Sequence, residues 1–222
     1  MPRRKLPLVE SEIYHVYNKS IAGFEIFKNP LEYERMLRCI IFYNLLRQPC
    51  KFFMFEKMIK KSLKDITPLI NIYSASKKVD IIAFCLMPTH IHLILKQLSE
   101  NGISDFLSLI QQSHSQYFNK KYERKGPLWE GRFKNVLIET DEQFLHTTRY
   151  IHLNPTSDNL VKKPEDWKYS SYKAYLDPSI CKDNPILYSN DKYLEIDPSD
   201  YVDFINERIE YQKILNRIKH TP

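Results

Sequence analysis

The stretch from Val79 to Gln97 constrains the fold more than any other part of the chain. VDIIAFCLM (79–87) is nine residues long with Asp80 as its only charge. It is short for a helix and rich in β-branched and aromatic residues, so it reads as a central strand. Pro88 and Thr89 break it, and HIHLILKQ (90–97) is extended again. Two strands two residues apart make a hairpin-like antiparallel pair. EIYHVYNKS (12–20) alternates as a further strand. Pro30 opens a helical stretch, LEYERMLRCIIFYNLL. Residues 103–122 form an amphipathic helix with Ser104 as its cap, and Thr140 caps another, which Pro155 stops. Residues 124–133 are a Gly/Pro loop. The order strand, helix, strand, strand, helix, loop, helix predicts an α+β sandwich with helices on one face of an antiparallel sheet.

Composition narrows the partners. Across 222 residues, 33 Lys and Arg face 27 Asp and Glu, a net charge of +6. Residues 177–222 hold nine acidic and six basic residues, so a body of net +9 carries a tail of net −3. The shift near Asp177 and Pro178 predicts a catalytic domain over 1–176 and an acidic, helical C-terminal extension over 177–222, in which Asp200 to Ile218 keep a helical period. Excess positive charge favours a polyanionic partner. Cys39, Cys50, Cys85 and Cys181 form no CxxC pair, which excludes a disulfide scaffold and a cysteine zinc site. No apolar run approaches a membrane span, and the basic N-terminus has no apolar stretch after it, so a cytoplasmic protein is expected. The lysines at 57, 60, 61, 64, 77 and 78 read as a solvated surface.

His90 and His92 alternate onto one face of their strand, about 7 Å apart at roughly 3.3 Å per residue, and two imidazoles so placed can grip one divalent ion. In MPTHIHL (87–93) this pattern resembles the His-hydrophobic-His motif of the HUH single-strand nucleases. More closely it resembles the single-tyrosine transposases, often written MPNHVHLL. GPLWEGRFK (126–134) is similar to their GPLFQGRFK block, YIHLNP (150–155) to YIxxNP, and DWKYSSYKAYL (166–176) to W-x-x-SSY. EIYHVYNKS is similar to their first strand. The match spans roughly residues 8–176 and is nearest the REP-associated branch.

That resemblance implies a ferredoxin-like sheet and a metal-dependent transposase that cuts and rejoins single-stranded DNA at hairpin-forming palindromes. It makes Tyr150 the nucleophile, leaving a 5′-phosphotyrosine and a free 3′-hydroxyl. It makes His90 and His92 ligands of Mg²⁺ or Mn²⁺, with Asn154, one helical turn after Tyr150, as the third. His146 shares that face, and His152 should point elsewhere. Tyr117 is the competing tyrosine. A DNA surface is expected at Lys120, Lys121, Arg124, Lys125, Trp129, Arg132 and Lys134, where basic groups meet phosphates and aromatics stack on bases. Arg3, Arg4 and Lys5 form a second basic cluster near a hairpin foot. The partner is single-stranded or hairpin DNA, with the protein a monomer or homodimer and its site built in cis or in trans. The alternatives are a domesticated hairpin-binding regulator that has lost cleavage, and a metal-dependent hydrolase of small molecules.

Overall fold

The computed structural model describes residues 7–61, 76–193 and 196–220. The described residues form one four-stranded antiparallel sheet, built from β1 (Ile13–Lys19), β2 (Val79–Met87), β3 (His90–Gln97) and β4 (Lys134–Leu137), in the order β2-β3-β1-β4. Met87 pairs with His90 across the Pro88–Thr89 turn. β2 is an edge strand and not the central one its composition predicts; it is buried throughout because its outer edge is covered by Tyr169 to Ser171, with Leu86 N–H donating to the Tyr169 carbonyl and Ser171 N–H to the Phe84 carbonyl. β4 has no counterpart in the sequence reading. Its four residues, KNVL, are too few to show a period, and it is recruited only as an edge partner of β1.

Every residue of β2 is buried, so both of its faces need cover. Helices therefore pack on both sides of the sheet rather than one. On the first side, α1 (Pro30–Asn44) and α3 (Gly102–Lys121) bring Met36, Ile40, Phe106 and Ile110 against Val16, Phe84, Leu93 and Leu95. A shorter helix, α2 (Phe52–Lys61), packs Phe55 onto Phe42 of α1. On the second side, α4 (Asp141–Ser157) and α5 (Tyr172–Leu176) lay Ile151, Tyr172 and Tyr175 over Ile82, Cys85 and Ile94.

The C-terminal residues add α6 (Ser179–Asp183), α7 (Pro198–Asn206) and α8 (Ile209–His220), and Tyr201 and Ile205 of α7 are fully buried in that second cluster. Four local expectations change. α3 begins at Gly102 behind a left-handed Asn101, not at Ser104, and its first residue is a glycine that lies against the Lys78 carbonyl, where an added Cβ would stand 2.5 Å away. Pro155 does not stop α4, which runs two residues further. It removes only its own N–H, and the end is closed by Asp158 N–H donating to the Asn154 carbonyl. Lys77 and Lys78 are not solvated. The Lys77 ammonium lies 2.6 Å from Asp80 and donates to Ser189 and the Pro185 carbonyl. Lys78 donates to the carbonyls of Tyr43 and Leu45. Lys57 is exposed, and the side chains at 60, 61 and 64 lie outside the described residues.

Candidate active site

The site forms where α4 crosses the sheet. Cross-strand pairing places Lys19 beside His90, and Tyr17 beside both His92 and Lys134. Directly paired residues share a face, and alternation along β1 adds His15 to it. Tyr150 of α4 lies over this face within the same chain. Its ring centroid is 5.5 Å from that of His92 and perpendicular to it, while the His90 and His92 rings are 5.0 Å apart. Tyr150, Asn154 and Asp158 recur at helical spacing, and all three line one cleft of about 590 Å³. His90, His92, Tyr17, Lys19, Arg132 and Lys134 line the same cleft.

Hydrogen bonds set the two histidines alike. His90 Nδ1 is 2.9 Å from the Thr89 hydroxyl, and His92 Nδ1 is 3.0 Å from His15 Nε2. Burial, reinforced by His90 and His15, pushes the His92 pKa well below the usual histidine value. Burial also lowers His15 to about 4. Neutral rings keep the lone pairs that a metal ligand requires. Asn154 is buried, and among the described residues its Nδ2 has no partner at full hydrogen-bond geometry. Amide oxygen and nitrogen are interchangeable by a flip, so this side chain can offer an oxygen to the cleft. Among the described residues no three His, Cys, Asp or Glu side chains could share a metal ion. The side chains that could hold a divalent ion at this cleft are two imidazoles and one amide, donors that suit Mn²⁺ better than the harder Mg²⁺.

Burial raises the Tyr150 phenol above its ordinary value. Asp158 and Tyr17 add to the shift, and the Asn154 amide opposes it. The phenol is therefore protonated at neutral pH. Behind it, His152 faces away from the cleft. Its Nδ1 is 2.7 Å from the Tyr201 hydroxyl and its Nε2 is 2.8 Å from Ser171 Oγ, which also accepts from Phe84 N–H. Ser170 bridges to Cys85 of β2. The SSY block thus docks the tyrosine helix onto the sheet. Arg149 donates to the Phe204 carbonyl, and Gln212 donates to the Tyr150 carbonyl.

The basic segment divides. Arg132 and Lys134 are exposed and line the cleft, joined by Lys19. Lys120 and Lys125 are exposed at the far end of α3 and the loop after it, outside the cleft lining. Lys121 is 2.7 Å from the buried Glu32, and Arg124 ties down its own loop through Asn119 and the Pro127 carbonyl. Trp129 is 8% exposed with its indole N–H on the Gln111 carbonyl, so it packs into the core and offers no face to a base. Tyr117 packs under Arg35, away from the histidines. His146 is exposed, 2.6 Å from Arg149, and lines a neighbouring groove. Arg3, Arg4 and Lys5 lie outside the described residues. His15, Tyr17, Lys19 and Asp158 were not singled out from the sequence. Strand alternation groups the first three, but only the β1–β3 register carries them to the histidines. Asp158 is hidden if Pro155 is taken to end the helix.

A family model described as transposase, IS200-like, matches residues 46–154, a span that holds His90, His92, Tyr150 and Asn154. A relative from Haemophilus influenzae described as a REP-associated tyrosine transposase is 33% identical over 123 residues, covering 48% of this chain and 68% of that protein. The structure of a REP-associated tyrosine transposase bound to a REP hairpin aligns with a TM-score of 0.50 at 18% identity. That alignment covers 89% of this chain and 93% of the other, and supports the common α+β fold. No helix among the described residues is long and apolar enough to cross a membrane. The chain belongs to the IS200-like transposases, as a relative of the REP-associated tyrosine transposases.

Proposed function

We propose that this chain is a metal-dependent single-strand DNA transposase that acts at hairpin-forming sequences through a covalent tyrosine intermediate. The observation that carries the reading is the seating of Tyr150 over the His90–His92 pair within one chain, at the wall of a cleft edged by Lys19, Arg132 and Lys134. The three cations neutralise backbone phosphates and hold a strand across the phenol. The Tyr150 oxygen attacks phosphorus and gives up its proton as the bond forms, and the P–O3′ bond breaks. The leaving 3′-oxygen takes a proton, and the 5′-phosphate stays on Tyr150. Attack by another 3′-hydroxyl reverses the step without an external energy source, because the phosphodiester bond has been exchanged rather than hydrolysed. His90, His92 and Asn154 would hold the metal. Bound there, Mn²⁺ or Mg²⁺ supplies charge stabilisation to the scissile phosphate oxygens. The hairpin is drawn from the relative whose structure was determined with one, and the single-strand preference from the resemblance of MPTHIHL and YIHLNP to the motifs of the single-tyrosine transposases.

His92→Ala tests the reading. Lewis-acid stabilisation is worth several kcal/mol, so cleavage of a labelled single-stranded hairpin in Mn²⁺ should fall by about 10²–10⁴-fold. EDTA should reduce the unaltered protein to the same level. Equal cleavage by the variant, or full activity in EDTA, would contradict the metal assignment.

A further inference from the structure

His15 occupies a position that the proposed chemistry has not yet used. It lies on β1 opposite Ile94, one step diagonal from the Tyr17–His92 pair, on the cleft face of the sheet. Its Nε2 is 3.0 Å from His92 Nδ1, and the two rings are only 21° from coplanar, which suits an in-plane N–H···N bond. Two neutral imidazoles can share such a contact only if one donates and the other accepts.

We infer that His15 is a positioning residue: it accepts the His92 Nδ1 proton and so fixes the tautomer in which His92 turns the lone pair of Nε2 into the cleft. The inference rests on the reading of His92 as a metal-holding side chain. The opposite arrangement would put a proton on Nε2, where a ligand needs a lone pair. Thr89 orients His90 through the same ring nitrogen, its hydroxyl 2.9 Å from His90 Nδ1, but a hydroxyl that can donate or accept does not by itself select a tautomer. The two histidines are thereby oriented by different chemistry, a hydroxyl from the hairpin turn and an imidazole from a neighbouring strand. The strand contact is the more rigid, because β1 is hydrogen-bonded on both sides, to β3 and β4. Tyr150 closes over the pair, with its ring edge-on to His15 at 6.1 Å, so His15 also borders the nucleophile without reaching into the cleft lined by Asn154 and Asp158. Outer partners of this kind typically govern metal affinity by 10–100-fold.

The test uses the full chain without DNA. Mn²⁺ affinity is measured by calorimetry, the His92 tautomer by ¹⁵N NMR, and folding by thermal melting. His15→Phe keeps the ring and removes the acceptor; His15→Gln restores an acceptor oxygen at similar reach. The expected results are an Nδ1–H tautomer at His92 in the unaltered chain and, in His15→Phe, Mn²⁺ binding about 10–100-fold weaker with a changed tautomer. His15→Gln should recover most of the affinity. A folded His15→Phe with unchanged affinity and tautomer overturns the inference. So does a His15→Gln that folds and binds as weakly as His15→Phe, since that pattern belongs to packing rather than to the hydrogen bond. Absence of Mn²⁺ binding in the unaltered chain overturns the metal reading instead, and the tautomer change in His15→Phe still decides whether His15 orients His92.

Discussion

Tyr150→Phe is expected to abolish the covalent protein–DNA adduct and to lower strand cleavage by about 10⁴-fold or more, the scale on which enzymes depend on a covalent nucleophile. Only the hydroxyl is lost. The ring keeps its edge-on contacts with His92 and His15. Melting temperature should therefore stay within about 2 °C, as for a substitution that removes no core packing. The raised phenol pKa sharpens the expectation. Burial, Asp158 and Tyr17 all disfavour a standing phenolate, so the nucleophile is made only as the proton leaves. Among the described residues no other hydroxyl lines the cleft on the α4 side, where Tyr150 is joined by Asn154 and Asp158. Adduct formation by the variant near the unaltered rate would remove Tyr150 from the chemistry.

The second large effect is on stability. Asp80→Ala should destabilise the fold by about 3–5 kcal/mol, the usual cost of leaving one member of a buried ion pair uncompensated. Against a total stability of roughly 5–15 kcal/mol that is a large fraction, equivalent to about 6–20 °C in melting temperature for a chain of this size. The Lys77 and Asp80 side chains are 7% and 5% exposed, and Asp80 also accepts from Ser189 and Tyr193. One carboxylate thus joins the start of β2 to the C-terminal segment. Burial alone would raise the Asp80 pKa, but the hydrogen bonds from Lys77 and Tyr193, with the charges of Lys77 and Lys192, hold it below the ordinary carboxylate value. A depressed pKa contributes stability that is present above the unfolded value, about 3.9, and is lost as pH falls through the folded one. The deficit of Asp80→Ala should therefore be full at neutral pH and shrink below about pH 4. A deficit independent of pH would mean that packing, not charge, ties the segment down.

The β2–β3 hairpin was legible because eight apolar residues around Asp80, a Pro-Thr break and an alternating second strand leave one short-range solution, although β2 lies at the edge of the sheet and not at its centre. Alternation also put His90 and His92 on one side before any register was known. Long-range placement was not legible. Sheet order depends on β1 docking beside β3, about eighty residues away in sequence, and that pairing alone brings His15, Tyr17 and Lys19 to the histidines. Charge was a poor guide to exposure. Lys77 is buried beside Asp80, Lys121 is committed to Glu32, and Arg124 braces its own loop, so only part of the basic stretch meets the cleft. An aromatic among lysines was equally ambiguous, because Trp129 fills the core where a base-stacking surface was expected. Proline was read too strictly at position 155, where the missing N–H costs a single bond near the end of α4.

The central claim is that Tyr150, and no other tyrosine, carries the DNA. Tyr17 is the informative rival, since it also lines the cleft and its ring is 5.6 Å from that of His92. The direct measurement is peptide mapping by mass spectrometry after the unaltered protein has been trapped on a single-stranded hairpin in Mn²⁺. A nucleotide phosphate attached to Tyr150, in the peptide running on through Ile151 and His152, is the predicted result. Attachment at Tyr17, or cleaved DNA with no tyrosine carrying a nucleotide, would contradict it.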